Sequence, residues 1–215
     1  MDEITTIQKF AIWVLPVLFG ITVHEAAHGW VASLLGDNTA RKLGRLTVNP
    51  IKHIDPVGTI LVPGLTFALG GIMFGWAKPV PVDFQKLRSP KRDMALVALA
   101  GPLSNLGMAI VWALLAKVAV MIAFDPISVP LMYMCGPGVL FNMVLMVLNL
   151  LPIPPLDGGR IMTGILPGKY AMYFSRIEPY GLLILVLLIT TGLLGDIIGS
   201  PIHFAYKELM NLVSL

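Results

Sequence analysis

The chain has 215 residues, of which 56% are hydrophobic and only 13% are charged, and its mean hydropathy is +0.82. This composition excludes an ordinary soluble domain and is typical of polytopic membrane proteins. The net charge of +3 does not indicate a nucleic-acid partner, because the basic residues cluster in short loops between apolar segments, where they orient a membrane protein. We therefore expect a single membrane-embedded domain over residues 1–215, without an appended soluble module.

The first apolar segment, residues 10–35, is long enough to cross a bilayer and contains His24, Glu25 and His28. Residues four apart leave the same face of a helix about one turn from each other, so the two imidazoles can hold one tetrahedral zinc ion. A carboxylate directly after the first ligand is placed to deprotonate a zinc-bound water and to pass the proton to a leaving amine. Ionisable groups at membrane depth are rare outside functional sites. This pattern predicts peptide hydrolysis.

Basic loops predict the orientation of the chain. Four positive charges follow the first span, at Arg41, Lys42, Arg45 and Lys52, and mark a cytoplasmic side. The N-terminus is therefore expected outside, and the histidine pair near the cytoplasmic end of its helix. A second basic loop follows the Gly/Pro-rich apolar residues 54–75. Because two cytoplasmic loops cannot flank a single crossing, residues 54–75 are predicted to be re-entrant and partly extended, with an ordinary span that violates the charge rule as the alternative.

Further spans are expected at residues 94–124, 129–151 and 179–194. Residues 197–215 either return as a short last span or lie along the membrane interface. The predicted fold is therefore all-α, a polytopic membrane protein with about five to six transmembrane helices. Asn105 lies inside one of these spans and needs a polar partner, which is either a neighbouring helix or the backbone of a substrate.

Asp157 is the leading candidate for a third zinc ligand, which a two-histidine site needs. It follows a proline-rich stop at the end of a span, on the same side of the membrane as the histidine pair. As an alternative, it could simply cap the next helix. The competing ligands are each more easily explained by exposure; they are His53, Asp55, Glu178 and His203.

Three segments together resemble the site-2 proteases, the zinc intramembrane metalloproteases of the M50 class. They are HEAAH at residues 24–28, GPLSN at residues 101–105 and NLLPIPPLDG at residues 149–158. The segments NPIKHIDPVGT at residues 49–59 and GWAKPV at residues 75–80 are similar to blocks of small bacterial members. Many members carry a PDZ or CBS module that is not seen here, a departure that concerns substrate selection rather than chemistry.

The resemblance implies a role for each candidate residue. His24, His28 and Asp157 would bind one zinc ion and Glu25 would be the general base. Asn149 would assist near the scissile carbonyl, and Asn105 is assigned to substrate binding. The implied substrate is a transmembrane segment of another protein in the lipid bilayer of the cell membrane, cleaved within or near its helix.

A different class of function is a zinc-binding transporter or a catalytically silent chaperone of membrane helices, since histidine and aspartate at membrane depth also suit ion pathways. A transporter has no special need for Glu25 directly after a ligand, and the internal symmetry typical of transporter folds is not visible. The sequence therefore favours the protease.

Overall fold

The computed structural model describes residues 5–62, 65, 78–122 and 124–213, and all regular structure within them is helical. The helices are α1 Thr6–Leu34, α2 Thr39–Lys42, α3 Pro90–Met121, α4 Asp125–Leu150, α5 Asp157–Ile165, α6 Gly168–Ser175, α7 Gly181–Thr190 and α8 Leu193–Val213. Short 3₁₀ turns lie at Pro50–His53, Phe84–Lys86 and Glu178–Tyr180, and a π-helical stretch lies at Pro56–Leu61. The predicted all-α fold is confirmed.

Four segments of the described chain are long and apolar enough to cross a membrane. They are Phe10–Leu34 in α1, the whole of α3, the whole of α4, and Gly168–Thr190, which comprises α6, the following turn and α7. The chain is therefore an all-α membrane protein. Helix α8 is not among these four, so the expected total of five to six spans stays a prediction.

Most of the segment predicted to be re-entrant, residues 54–75, lies outside the described residues. Its beginning is described, and there the Asp55 carboxylate accepts hydrogen bonds from the backbone N–H groups of Val57 and Gly58, which start the π-helical stretch. Whether the segment spans or re-enters stays a prediction.

Helix α3 lies at the centre of the molecule and packs against α1, α4 and α5, while α4 also contacts α1 and α8. The α3–α4 interface is apolar and includes Ala109, Ala113, Val139 and Met143. Gly138 of α4 lies directly on the indole ring of Trp112, where a Cβ atom would overlap the ring. Small residues thus allow the two helices to approach closely, as is typical of membrane helices.

The end of α1 is tied to the loop before α3 by Asp37, whose side chain is fully buried. Its carboxylate accepts hydrogen bonds from the backbone N–H and the hydroxyl of Thr39 and from the N–H of Asp83, at 2.9, 2.5 and 2.7 Å. Burial raises the pKa of Asp37, but these hydrogen bonds lower it further than burial raises it, so the pKa lies below its ordinary value. The preceding Gly36 has a φ of +119°, which favours glycine and lets the chain turn there.

Candidate metal centre

The three predicted ligands lie together in the structure. His24 and His28 leave one face of α1 toward α3, and Asp157 is the first residue of α5. The Nε2 atoms of the two histidines are 3.1 Å apart. Asp157 Oδ2 lies 3.1 Å from His24 Nε2 and 3.3 Å from His28 Nε2. All three side chains are buried. Within the described chain they form the one group of three or more metal-ligating side chains.

Glycine residues let the backbone approach this group. A Cβ atom at Gly101 of α3 would lie 2.5 Å from His28 Cε1 and Nε2 and 2.6 Å from His24 Cε1. A Cβ atom at Gly158 would overlap the backbone at the end of α4, and one at Gly159 would overlap the backbone of the proline-rich turn before α5. The glycines after Asp157 therefore allow α5 to fold back onto this turn, which brings Asp157 to the histidines.

Hydrogen bonds determine the tautomer of each histidine. His28 Nδ1 lies 2.7 Å from the carbonyl oxygen of Val97, which can only accept, so Nδ1 carries the hydrogen. His24 Nδ1 lies 2.6 Å from Asn105 Oδ1, and the Asn105 amide nitrogen donates to the carbonyl oxygen of Gly20 at 3.2 Å, which orients the amide. His24 Nδ1 is therefore also a donor. In the neutral form of each ring, Nε2 consequently presents its lone pair to Asp157.

With both rings neutral, three acceptor atoms meet with no donor between them. Asp157 Oδ2 is buried and has no hydrogen-bond donor. A buried cluster of this kind needs a cation. Tetrahedral zinc with metal–ligand bonds of about 2.0–2.1 Å places neighbouring ligand atoms about 3.3 Å apart, close to the observed 3.1–3.3 Å. The residues present therefore fit a zinc ion, with the second ring nitrogens held by oxygen acceptors as is usual for zinc-bound histidines.

Glu25 is held by the segment that begins at Lys78. The backbone N–H of Val80 donates to Glu25 Oε2 at 2.7 Å. The Arg45 guanidinium donates to the carbonyl oxygens of Lys78 and Pro79 at 3.0 and 3.4 Å, and Lys78 N–H donates to the carbonyl oxygen of His53 at 2.9 Å. The orientation of the Glu25 carboxylate thus depends on residues 78–80. Hydrogen bonds from Arg45 and to His53 hold this loop in place.

The two predicted asparagines have different surroundings. Asn105 is fully buried, and its carbonyl oxygen and amide group are all used, toward His24, Gly20 and Asn142. The structure places Asn105 behind His24, where its carbonyl oxygen contacts the His24 ring. The substrate-binding role expected of Asn105 from the sequence stays a prediction. Asn149 is half-buried and donates to the carbonyl oxygen of Leu145 one turn earlier in its own helix, so its catalytic role stays a prediction.

The competing ligands lie outside the cluster. Glu178 and His203 are exposed, as expected. The expectation of exposure was wrong for His53, which is only 2% exposed and whose Nε2 lies 2.9 Å from the carbonyl oxygen of Thr47. The imidazole is buried because it fastens the turn at Pro50–His53 to the preceding loop. Asp55 is half-buried and caps the π-helical stretch.

Sequence reasoning missed two polar groups that support the site, Asn142 and Arg45. A signal was present for Asn142, because it lies seven residues before Asn149, two turns along the same apolar helix. Arg45 gave no local signal, since its partners lie more than thirty positions away along the chain.

Comparison with known proteins agrees with this geometry. The family model described as Peptidase family M50 matches residues 128–191. "Putative zinc metalloprotease YwhC" of Bacillus subtilis is 35% identical over 204 residues, which cover 94% of this chain and 90% of that protein. The chain belongs to peptidase family M50. It is a membrane metalloprotease and a member of the site-2 protease family, and zinc is the metal that its relatives' names give.

Two further relatives come from other organisms. "Putative zinc metalloprotease Rip2" of Mycolicibacterium smegmatis is 30% identical over 90% of this chain and 73% of its own length. "Putative zinc metalloprotease MJ0611" of Methanocaldococcus jannaschii is 42% identical over 73% of this chain and 72% of its own length. No solved structure matches the chain at a comparable level of significance.

Proposed function

We propose that the protein is a zinc-dependent intramembrane endopeptidase that cleaves a transmembrane segment of another membrane protein within or near the bilayer. The observation that carries the proposal is the meeting of His24 Nε2, His28 Nε2 and Asp157 Oδ2 without a donor, next to Glu25 and inside a membrane span. His28 lies six residues from the end of α1 at Leu34, or about 9 Å of helix. The chemistry would therefore take place below the membrane surface.

The site residues would divide the work as follows. His24, His28 and Asp157 would hold one zinc ion per chain. Bound zinc would supply a Lewis acid that lowers the pKa of a water molecule and polarises the scissile carbonyl. Glu25 would take the proton of the attacking water and deliver it to the leaving amine, and the Val80 N–H would keep its carboxylate in place. Asn149 would donate a hydrogen bond near the scissile carbonyl once it leaves the carbonyl of Leu145.

The basic loops support a cytoplasmic location of the site. Positive charges follow α1, which carries the histidines, and precede α3, which packs against α1. An excess of lysine and arginine marks cytoplasmic loops. In this orientation the N-terminus lies outside a cell membrane and the site opens toward the cytoplasm.

A helical substrate has its carbonyls in hydrogen bonds and must unwind before one can be attacked. Residues 54–75, most of which lie outside the described residues, are the segment from which the sequence predicts a hold on the unwound strand by backbone pairing.

The test uses the full chain in proteoliposomes with a single-span reporter protein whose transmembrane helix is weakened by glycine and proline. We expect the wild type to cleave inside this helix, located by mass spectrometry, and Glu25→Gln to retain zinc but lose cleavage. A fluorescent zinc indicator inside the vesicles tests the transporter alternative. Zinc influx that is equal in wild type and Glu25→Gln, without cleavage in either, would refute the protease.

A further inference from the structure

We propose that Asn142 is a positioning residue, which acts through Asn105 to keep the zinc ligand His24 in its metal-binding tautomer. This inference rests on the zinc site of the proposed function. Asn142 lies in α4, is fully buried, and forms hydrogen bonds to α3 and to its own helix.

The orientation of the Asn142 amide is determined by backbone. Its nitrogen donates to the carbonyl oxygen of Gly138 at 2.8 Å. Because a carbonyl oxygen can only accept, the amide nitrogen must face Gly138 and Oδ1 must face away from it. That oxygen accepts from the Asn105 amide nitrogen at 3.0 Å.

The same reasoning continues to Asn105 in α3. Its two amide hydrogens face two acceptors, Asn142 Oδ1 and the Gly20 carbonyl oxygen, at 3.0 and 3.2 Å. The Asn105 carbonyl oxygen therefore faces His24 Nδ1 at 2.6 Å and requires a hydrogen there. His24 Nε2 is then left with its lone pair toward Asp157.

A flipped Asn105 amide would reverse this outcome. Its NH₂ group would face His24 Nδ1, the ring hydrogen would move to Nε2, and that atom could no longer bind a metal. Asn142 supplies the shorter of the two contacts that prevent the flip. Space for rearrangement is also small, because a Cβ atom at Gly20 of α1 would lie 3.1 Å from Asn142 Oδ1.

The test compares zinc affinity in detergent-solubilised full-length protein, measured by competition with a chromophoric chelator. Asn142→Leu has a similar volume but no hydrogen-bonding groups, and we expect it to weaken zinc binding about 10- to 100-fold, the usual effect of losing a partner of a metal ligand. Asn142→Asp, which burial keeps as the neutral carboxylic acid, retains an acceptor oxygen for Asn105 and an O–H donor for the Gly138 carbonyl, and should remain within about threefold of wild type. The d–d spectrum of the Co²⁺-substituted protein should change in the leucine variant and not in the aspartate variant.

Val139→Ala is the matched control, since Val139 is equally buried on the same helix and lies in the apolar core. We expect it to lower the melting temperature of the metal-free protein without weakening zinc binding. If Asn142→Leu does not fold, Asn142→Ser replaces it, because a serine hydroxyl bonds the carbonyl one turn back and does not reach Asn105.

Wild-type zinc affinity in Asn142→Leu, or in Asn142→Ser where that replaces it, would overturn the inference. A loss of affinity in Val139→Ala equal to that in the Asn142 variant would also overturn it. A wild type that binds no zinc would overturn the proposed function as well, so the two failures are distinguishable.

Discussion

Gly101→Ala provides the sharpest test of the site geometry, because the change adds a single carbon atom beside both histidines. The new Cβ would lie 2.5 Å from His28 Cε1 and Nε2 and 2.6 Å from His24 Cε1, whereas ordinary contacts begin at 3.4 Å. The rings would have to move by about 1 Å. They cannot turn aside freely, since each Nδ1 is held by a hydrogen bond of 2.6 or 2.7 Å.

Two effects of opposite sign act on stability. Alanine is favoured over glycine in a helix by about 1 kcal/mol, while overpacking of a filled interior costs about 1–3 kcal/mol. The metal-free protein should therefore lose no more than about 2 kcal/mol. Zinc binding tolerates far less displacement, because ligand atoms must stay within about 0.2 Å of their bonding distance. We expect zinc affinity to fall at least about 100-fold.

The assay pairs chelator competition with thermal unfolding, and Gly107→Ala on the same helix is the control. A Cβ at Gly107 would meet nothing within 4 Å, so this variant should bind zinc normally and gain up to about 1 kcal/mol. If Gly101→Ala bound zinc with wild-type affinity and melted like Gly107→Ala, the described contact between α3 and the histidines would be refuted.

Three further predictions follow from the same contacts. Asp157→Ala should reduce the zinc content measured by elemental analysis from about one ion per chain to near zero. A chelator should lower the melting temperature of the wild type but not of this variant, and an unchanged zinc content would contradict the ligand set. Arg45→Ala should release the segment that carries the Val80 N–H and lower the kcat for a reporter substrate about tenfold at unchanged zinc content. Arg41→Ala, at an exposed neighbouring position, should not lower it. Equal activities of the two variants would refute the link from Arg45 to Glu25. Asp37→Asn should cost about 1–3 kcal/mol in chemical unfolding, because Oδ1 stays on Thr39 and the NH₂ group that replaces Oδ2 cannot accept from Asp83 N–H. Since the pKa of Asp37 is lowered on folding, its contribution to stability is present above a pH of about 4 and is lost as the pH falls further. A variant with wild-type acid sensitivity would contradict this.

The grouping of His24, His28 and Asp157 could be predicted from the sequence because most of it is local chemistry. His24 and His28 share a helix face by periodicity alone, and the two glycines after Asp157 indicated an unusual backbone at a membrane edge. What the sequence left open was whether Asp157 reaches the histidines or only caps α5. That question depends on the packing of α1, α3 and α5, a tertiary property that no local pattern encodes.

The role of Asn105 could not be predicted for the same reason. A buried asparagine needs partners, and the sequence does not say whether a helix or a substrate supplies them. The structure shows Gly20 from α1 and Asn142 from α4 on either side of it. The burial of His53 could not be predicted either, because the composition of its loop is typical of exposed segments, whereas its contacts are with Thr47 and Lys78.

The physics of a lipid environment connects these observations. Without water in the bilayer core, each unpaired polar group costs several kcal/mol, so a buried network survives when every member has a partner. Asn105, Asn142 and both Nδ1 atoms satisfy this rule completely. The Nε2 atoms and Asp157 Oδ2 do not satisfy it among themselves, because three acceptors meet there. The helices therefore hold a polar cluster whose missing partner must be positively charged. The hydrogen bonds to the two Nδ1 atoms leave both Nε2 atoms and Asp157 Oδ2 free to bind this partner.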